Sequence, residues 1–449
     1  MKNVCKYLNP KNLLNEIHII GYHYSWKQYI YTNIGVVAVL VLIAKILSLS
    51  AVYTVILGII VILCEPYLVL NGYVNMYEQK RFMDVSNYME QMLYSFKQKS
   101  KIMTALEDSV LLFPDSLMGE CIDLTMEHIS TSDTEGNVYQ ESFEFIEKEY
   151  GCELMRRIHT FMIRVETSGG EYEESARILI SDKNKWVSRV MKVQKEKQLI
   201  KRNVTIGIFL ALIVVVGTVY MVPKELVDIS QNKVSQFSGF CMLACNFILW
   251  TFVQCKLTGS WIKMEDTTSL RKLKKYYANV MSSPKRCKKS QRDYLIKEVE
   301  KAFPDWILSV SLLLQTENVQ MAIVKSVEKA PFIICSELEC LIEKLERLPN
   351  SIEPYLEFFG ALQLANIQSS MRMLFSMSIN GGEDMTEQIY ALIERNGDMQ
   401  DQSEKIKLED YLAGISFCVL VPMIFGSMKL MVDMSLLMIG IMQNAKGVY

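Results

Sequence analysis

The chain has 449 residues, of which 50% are hydrophobic and 22% are charged, and it carries a formal net charge of −2. This hydrophobic content is too high for an ordinary cytosolic protein, yet a chain made mostly of membrane would contain about eight to twelve hydrophobic spans. The sequence contains four clear spans and one or two uncertain ones. The near-neutral charge favours neither nucleic acid nor an acidic substrate as partner.

Residues 1–30 combine lysines with an aromatic cluster between Tyr22 and Tyr29 and lack the architecture of a signal peptide. They predict a cytoplasmic, interfacial N-terminus. The apolar run in residues 31–72 is too long for one span, and Ser48–Ser50 predicts a turn. We therefore expect a transmembrane helix pair in residues 31–72. Lys45 near the outer end of the first helix is best interpreted as a snorkelling membrane-edge lysine, with a role in an ion pathway as the alternative.

Residues 73–202 have the apolar periodicity of a helical bundle, with Val85, Met89 and Phe96 on one helix face and a second helix ended by Pro114. Residues 203–254 predict a central transmembrane hairpin. Its arms, Val204–Val222 and Phe237–Val253, contain no Asp, Glu, Lys, Arg or His.

Residues 255–410 predict a second helical bundle, preceded by a basic juxtamembrane lead-in. The spacing of apolar residues that starts at Ile102 recurs 217 residues later, starting at Val319. Pro331 ends this second helix as Pro114 ends the first. Ser168–Glu171 matches Asn380–Glu383 at an offset of 212. One longer loop in the first copy explains the difference, so we predict a duplicated unit of helical bundle followed by membrane.

Residues 411–442 predict a C-terminal transmembrane segment, either one long span or two short ones broken near Gly426. Lys429 and Asp433 lie four residues apart and can pair on one helix face. Structural pairing near the outer surface is the simpler interpretation. Contact with a polar group on a partner's membrane helix is the alternative.

Basic residues flank the spans on the side of the two bundles, whereas the loop between the hairpin arms has only Lys224 and Lys233. Both large bundles are therefore expected in the cytoplasm of a multi-pass protein. The run after the fourth span predicts contact with anionic membrane lipid, rather than with nucleic acid, because no aromatic platforms accompany it. Its basic residues are Lys285, Arg286, Lys288, Lys289 and Arg292.

Motifs for phosphate loops, dinucleotide binding, zinc proteases and serine hydrolases are absent. The cysteines show no CxxC spacing and the four histidines have no metal-like partners nearby, so free thiols are predicted and no metal, cofactor or catalytic residue. The sequence therefore predicts an all-α integral membrane protein that is not an enzyme.

Two cytoplasmic bundles that each lead into membrane, each with a glycine-glutamate break before the last long helix, resemble the type II secretion system protein F family. The N-terminal membrane pair is most similar to its TadB/TadC branch, the platform proteins of Tad pilus assembly. Phe303–Pro331 looks like the opening of the family's domain, and so does Phe82–Pro114. The chain departs from the family at Lys99–Ser100 and Thr316–Glu317, where a glycine is common, and in carrying two bundles.

The resemblance implies a platform in the bacterial plasma membrane that couples a hexameric secretion ATPase to extraction of pilin-like subunits. It also implies homo- or hetero-oligomers with platform proteins. Tight helix-to-helix turns and coupling hinges are alternative roles for the glycine pairs. The candidate hinge residues are Gly169, Gly170, Glu171, Gly381, Gly382 and Glu383. Two other classes stay open: a membrane scaffold or signalling protein with another cytosolic partner, and a small-molecule transporter.

Overall fold

The computed structural model describes residues 10–132, 138–169, 172–221, 232–262, 269–282, 288–314, 317–379 and 385–446. Over these ranges the chain is all-α, with short 3₁₀ segments and no strand. The helices in chain order are α1 (Pro10–Ile19), α2 (Trp26–Ile46), α3 (Ala51–Lys99), α4 (Ile102–Val110), α5 (Leu117–Thr131), α6 (Val138–Tyr150), α7 (Glu153–Ser168), α8 (Glu173–Met221), α9 (Lys233–Lys256), α10 (Leu270–Ser282), α11 (Lys289–Leu313), α12 (Val319–Ser326), α13 (Phe332–Arg347), α14 (Glu353–Glu357), α15 (Ala365–Ile379), α16 (Met385–Ser416) and α17 (Val421–Lys446).

The chain forms two compact units. The first consists of residues 1–170, 183–264 and 413–449, and the second of residues 171–182 and 265–412.

The turn expected at Ser48–Ser50 is present between α2 and α3. Ser48 adopts a positive φ of 50°, and the amide of Leu47 still donates to the carbonyl of Ile43. At its other end α2 begins with a capping box, in which Ser25 and Gln28 exchange side-chain and backbone hydrogen bonds. Both helix ends are therefore set by local sequence.

Helix α3 is one helix of 49 residues that continues from the apolar segment into the bundle of the first unit. The sequence analysis placed a boundary near residue 73, but no glycine or proline interrupts the stretch after Gly72 before Lys99. The helix ends where Ser100 adopts the left-handed conformation. The predicted apolar face of Val85, Met89 and Phe96 is buried.

Helix α8 is also continuous over 49 residues, so the basic stretch from Lys185 to Arg202 runs directly into the apolar arm at Val204, as the sequence predicts. Helix α9 begins at Lys233, one turn earlier than the sequence suggests. The reason is a cap, since the side chain of Asn232 accepts a hydrogen bond from the amide of Val234 at 2.9 Å.

The second unit has its own core around α11, in which Phe303, Trp306 and Ile307 are buried. The indole Nε1 of Trp306 donates to Ser326 Oγ of α12 at 2.9 Å. This bond pairs the only polar atom of the indole inside the core.

Of the two alternatives for residues 411–442, a break near Gly426 is wrong, because α17 runs unbroken through this residue. The interruption lies earlier, in the 3₁₀ turn Phe417–Val419 that separates α16 from α17. Pro422 stands in the first turn of α17, where its missing N–H does not cost a helical hydrogen bond. Proline, and not glycine, therefore marks the break.

Candidate functional site

Among the described residues, five helical stretches are long and apolar enough to cross a membrane, and the fifth combines α16 and α17. Apolar side chains on the outer faces of these helices are exposed on the protein surface, as at Val52, Phe209 and Met438. Exposed apolar faces of this extent are typical of surfaces covered by lipid or by another protein. The five ranges are Trp26–Ile46, Ala51–Lys99, Ala176–Tyr220, Lys233–Lys256 and Glu387–Gln443.

A buried polar cluster joins α9 to α17 between these apolar helices. Lys429 Nζ lies 2.5 Å from Asp433 Oδ1 and donates to both the carbonyl oxygen of Ser235 at 2.9 Å and its Oγ at 2.7 Å. Ser235 Oγ in turn donates to Asp433 Oδ1 at 2.8 Å. The lysine and aspartate are each about 95% buried, at 5% and 4% exposure. The intrahelical pair predicted from sequence is present, and it is also tied to a second helix.

Only one of the two carboxylate oxygens of Asp433 is hydrogen-bonded within this cluster. The other, Oδ2, is buried and has no hydrogen-bond partner among the described residues. Gly239 leaves the space that the lysine stem occupies, because a Cβ there would lie 3.4 Å from Lys429 Cε. The ion pair is thus held by close packing, as a buried charge pair requires.

Small residues allow α8 and α17 to approach closely. A Cβ on Gly426 would lie 2.9 Å from Ala211 Cβ, and a Cβ on Gly207 would lie 3.4 Å from the carbonyl oxygen of Val419. Such small-residue contacts are the usual means by which helices pack in lipid, where the hydrophobic effect between helices is absent.

Helices α3 and α9 run parallel and in register. Tyr53 stacks on Phe240 at 5.3 Å, and further along the side-chain amide of Asn71 contacts Cys255 Sγ at 2.7 Å. These contacts are separated by about 15 to 18 residues on each helix, or roughly 25 Å of helix axis, which approaches the thickness of a bilayer's hydrocarbon core.

An aromatic junction fixes these helices to the bundle of the first unit. The fully buried ring of Phe82 on α3 packs against Trp186 of α8 at 5.1 Å and against Trp261, just after α9, at 5.8 Å. Lys201 Nζ adds a hydrogen bond to Thr258 Oγ1 at 3.0 Å. These contacts therefore hold together three chain segments that leave the apolar region.

A buried Tyr–His–Glu network lies within this bundle. Tyr88 Oη is 3.0 Å from His159 Nε2, and His159 Nδ1 is 2.8 Å from Glu147 Oε1. Burial lowers the pKa of His159 below its ordinary value. Burial alone would raise the pKa of Glu147, but hydrogen bonds to His159 and Arg156 lower it. Tyr88 and His159 are fully enclosed and Glu147 is partly exposed, and the network connects α3, α6 and α7.

Two more polar side chains are buried within the apolar helices, Glu65 on α3 and Asn246 on α9. Glu65 Oε1 and both side-chain polar atoms of Asn246 have no hydrogen-bond partner among the described residues. An unpaired buried polar atom costs free energy, so stability does not explain these two positions.

Of the predicted hinge residues, only Gly169 lies within the described residues; Gly170, Glu171, Gly381, Gly382 and Glu383 lie outside them. Gly169 ends α7 with φ at +68°, and its amide donates to the carbonyl of Val165 at 2.9 Å. No atom lies within 4 Å of the position that a Cβ would take there. The need for glycine at this turn therefore comes from the backbone conformation.

Of the predicted lipid contacts, Lys285 and Arg286 lie outside the described residues, whereas Lys288 and Lys289 are exposed. Arg292 is half-buried and donates to the carbonyl of Leu362 at 3.4 Å. It therefore contributes to the packing of the second unit. The sequence analysis missed Ser235, whose role depends on a contact with residues almost 200 positions away.

Among the described residues, no group of three or more His, Cys, Asp or Glu side chains is placed to hold a metal ion. The described cysteines are free. No protein-family model, curated protein or solved structure compared with the chain matches it.

Proposed function

We propose that this protein is a platform of a type II secretion or Tad pilus assembly machine in the bacterial plasma membrane. In this role both bundles face the cytoplasm, where they receive motion from a hexameric secretion ATPase. The apolar helices pass that motion to pilin-like subunits that leave the bilayer. The chain itself catalyses no reaction in this proposal.

The observation that carries the proposal is the continuity of α3 and α8. Each has 49 residues, or roughly 73 Å at 1.5 Å per residue, of which only about 20 residues are needed to cross hydrocarbon. The rest of α3, and residues 183–203 of α8, belong to the first unit with its bundle. A continuous helix transmits displacement along its axis, and the Phe82 junction couples the two helices laterally.

Helix boundaries support duplication of the bundle. Helices α4 and α12 begin at Ile102 and Val319, an offset of 217, and α7 and α15 begin at Glu153 and Ala365, an offset of 212. Helices α8 and α16 begin at Glu173 and Met385, again 212 apart. Two similar bundles in one chain suit a machine that needs two related platform surfaces.

Cross-linking in native membranes, followed by identification of the attached proteins, tests the proposal. We expect a secretion-type ATPase and small proteins with a single N-terminal hydrophobic helix to be recovered together. A different cytosolic protein as the dominant product, with neither of these present, would replace the platform by the membrane scaffold or signalling protein.

Breaking the continuity of α8 should uncouple the bundle from the apolar helices. Lys195 and Gln198 are exposed on α8 between Trp186 and Val204. Changing both to glycine costs about 1 kcal/mol per site in helix propensity and loosens the helix locally. We expect normal membrane insertion and a large loss of filament output.

The matched control changes the same two residues to alanine, which removes the side chains and keeps the helix. Filament output should then stay close to that of the native protein. Equal loss in both variants would mean that the side chains, and not helix continuity, carry the function.

A second candidate function is transport of a small solute or ion. It is favoured by the buried polar groups within the apolar helices, namely Glu65, Asn246 and the Lys429–Asp433 pair, because such groups often mark solute pathways. An unfolding temperature in detergent that rises with one particular solute would support transport. If no solute in a broad panel changes the unfolding temperature, the platform proposal is favoured.

A further inference from the structure

The chain contains a segment that is strongly basic and free of acids. From Thr267 to Arg292 it has nine lysine and arginine residues and no aspartate or glutamate, although the whole chain carries a net charge of −2. The segment follows the apolar helix α9, and α10 is the helix within it.

Helix α10 uses its apolar face for packing inside the second unit. Leu273 and Val280 are buried in the core of this unit, and Tyr277 Oη donates to Glu337 Oε1 at 2.7 Å. Lys274 Nζ lies 4.9 Å from the centre of the Phe332 ring. The apolar face is thus occupied by the protein itself.

The opposite face of α10 carries its remaining charges in the open. Arg271, Lys272 and Lys275 are exposed, and Arg271 and Lys275 lie one turn apart on the same side of the helix. Within the described part of the chain, none of the three forms an ion pair with a carboxylate. Lys288 and Lys289 add two more exposed charges at the start of α11.

We infer that the basic face of α10, together with Lys288 and Lys289, binds the phosphate groups of anionic lipids. The inference rests on the proposed membrane placement of the apolar helices. Lipid is the partner favoured by position, because only 13 residues, 257–269, separate α10 from the end of α9. The contact is electrostatic and peripheral, since the apolar residues of α10 face inward.

This assignment keeps Lys288 and Lys289 of the predicted lipid contact, leaves out Arg292 and adds α10. Arg292 is engaged with the carbonyl of Leu362, whereas Arg271, Lys272 and Lys275 of α10 can meet phosphate. Each basic residue near an anionic surface strengthens binding about fivefold. Three such residues on α10, together with Lys288 and Lys289, would therefore strengthen binding to an anionic membrane surface.

The test uses the purified full-length protein in nanodiscs of phosphatidylcholine alone or with about 30% phosphatidylglycerol. Hydrogen exchange of the peptide covering 270–282 is the readout. We expect at least tenfold slower exchange in the discs with phosphatidylglycerol, and loss of this slowing at high salt, because the Debye length falls to about 3 Å at 1 M.

The variant R271Q/K272Q/K275Q should exchange equally in both kinds of disc. The control K148Q/K325Q/R347Q removes the same number and types of charge from other exposed, ion-paired positions and should behave like the native protein. Equal exchange of the native protein in both discs, or an equal effect of both variants, would overturn the inference.

Failure of the membrane placement has a separate signature. In that case the protein would not stay with the discs during size-exclusion chromatography, and both the placement and the lipid site would be overturned together. Protein that remains in the discs while α10 shows no dependence on lipid charge would overturn the lipid site alone. Slowing caused only by an added acidic protein would assign the surface to a protein partner instead.

Discussion

The variant Lys429→Met is expected to lose about 3–5 kcal/mol of stability, because it leaves the carboxylate of Asp433 buried without its cation. Only Ser235 Oγ would remain as a hydrogen-bond donor to Asp433 Oδ1, and Asp433 Oδ2 already has no partner among the described residues. Thermal unfolding of the purified protein in detergent, followed by tryptophan fluorescence, measures the loss.

The control is Lys45→Met, which makes the same change at an exposed position of α2 and should alter stability by less than about 0.5 kcal/mol. If the two single variants unfold alike, the buried ion pair has no structural role. Exposure thus distinguishes two lysines that the sequence places in similar apolar surroundings.

The double variant Lys429→Met/Asp433→Leu should recover most of the stability, because a buried ion pair replaced by apolar residues is often close to neutral. This variant also separates the two interpretations left open by the sequence. Recovered stability with normal filament output supports structural pairing. Recovered stability without output supports contact with a polar group on a partner helix.

Gly426→Ala is expected to cost about 1–3 kcal/mol, since the new Cβ would lie 2.9 Å from Ala211 Cβ and would force α8 and α17 apart. Gly426→Leu should cost more. The compensating change Ala211→Gly in the same chain removes the nearest atom and should restore part of the loss. Unfolding in detergent again measures each difference.

Gly217→Ala is the control for Gly426→Ala, and it is expected to cause no loss of stability. No atom lies within 4 Å of a Cβ at Gly217, so alanine should leave stability unchanged or raise it by up to about 1 kcal/mol through helix propensity. An equal loss at Gly217 and Gly426 would mean that the close approach of the two helices does not limit stability.

Features set by local chemistry were predictable from the sequence. The apolar runs of α2 and α9, the turn at Ser48–Ser50 and the direct passage of α8 into its apolar arm follow from hydropathy and helical periodicity. The buried face of Val85, Met89 and Phe96 follows from spacing alone. Each depends on residues within a few turns of one another.

The sequence left one long C-terminal span and two short spans broken near Gly426 as alternatives, because glycine is ambiguous in an apolar helix. In the structure Gly426 is a contact surface for Ala211. The interruption lies at Phe417–Val419, just before Pro422. Only the neighbouring helix reveals which role a glycine has.

The all-α class, the apolar helices and the pairing of Lys429 with Asp433 could be predicted, because they follow from side-chain period and spacing along one helix. Only the packing of the helices reveals that Ser235 completes the polar cluster, that Phe82 contacts two tryptophans, and that the apolar side of α10 is covered. These contacts join residues far apart in sequence. Their existence depends on how the helices pack, which no local pattern encodes.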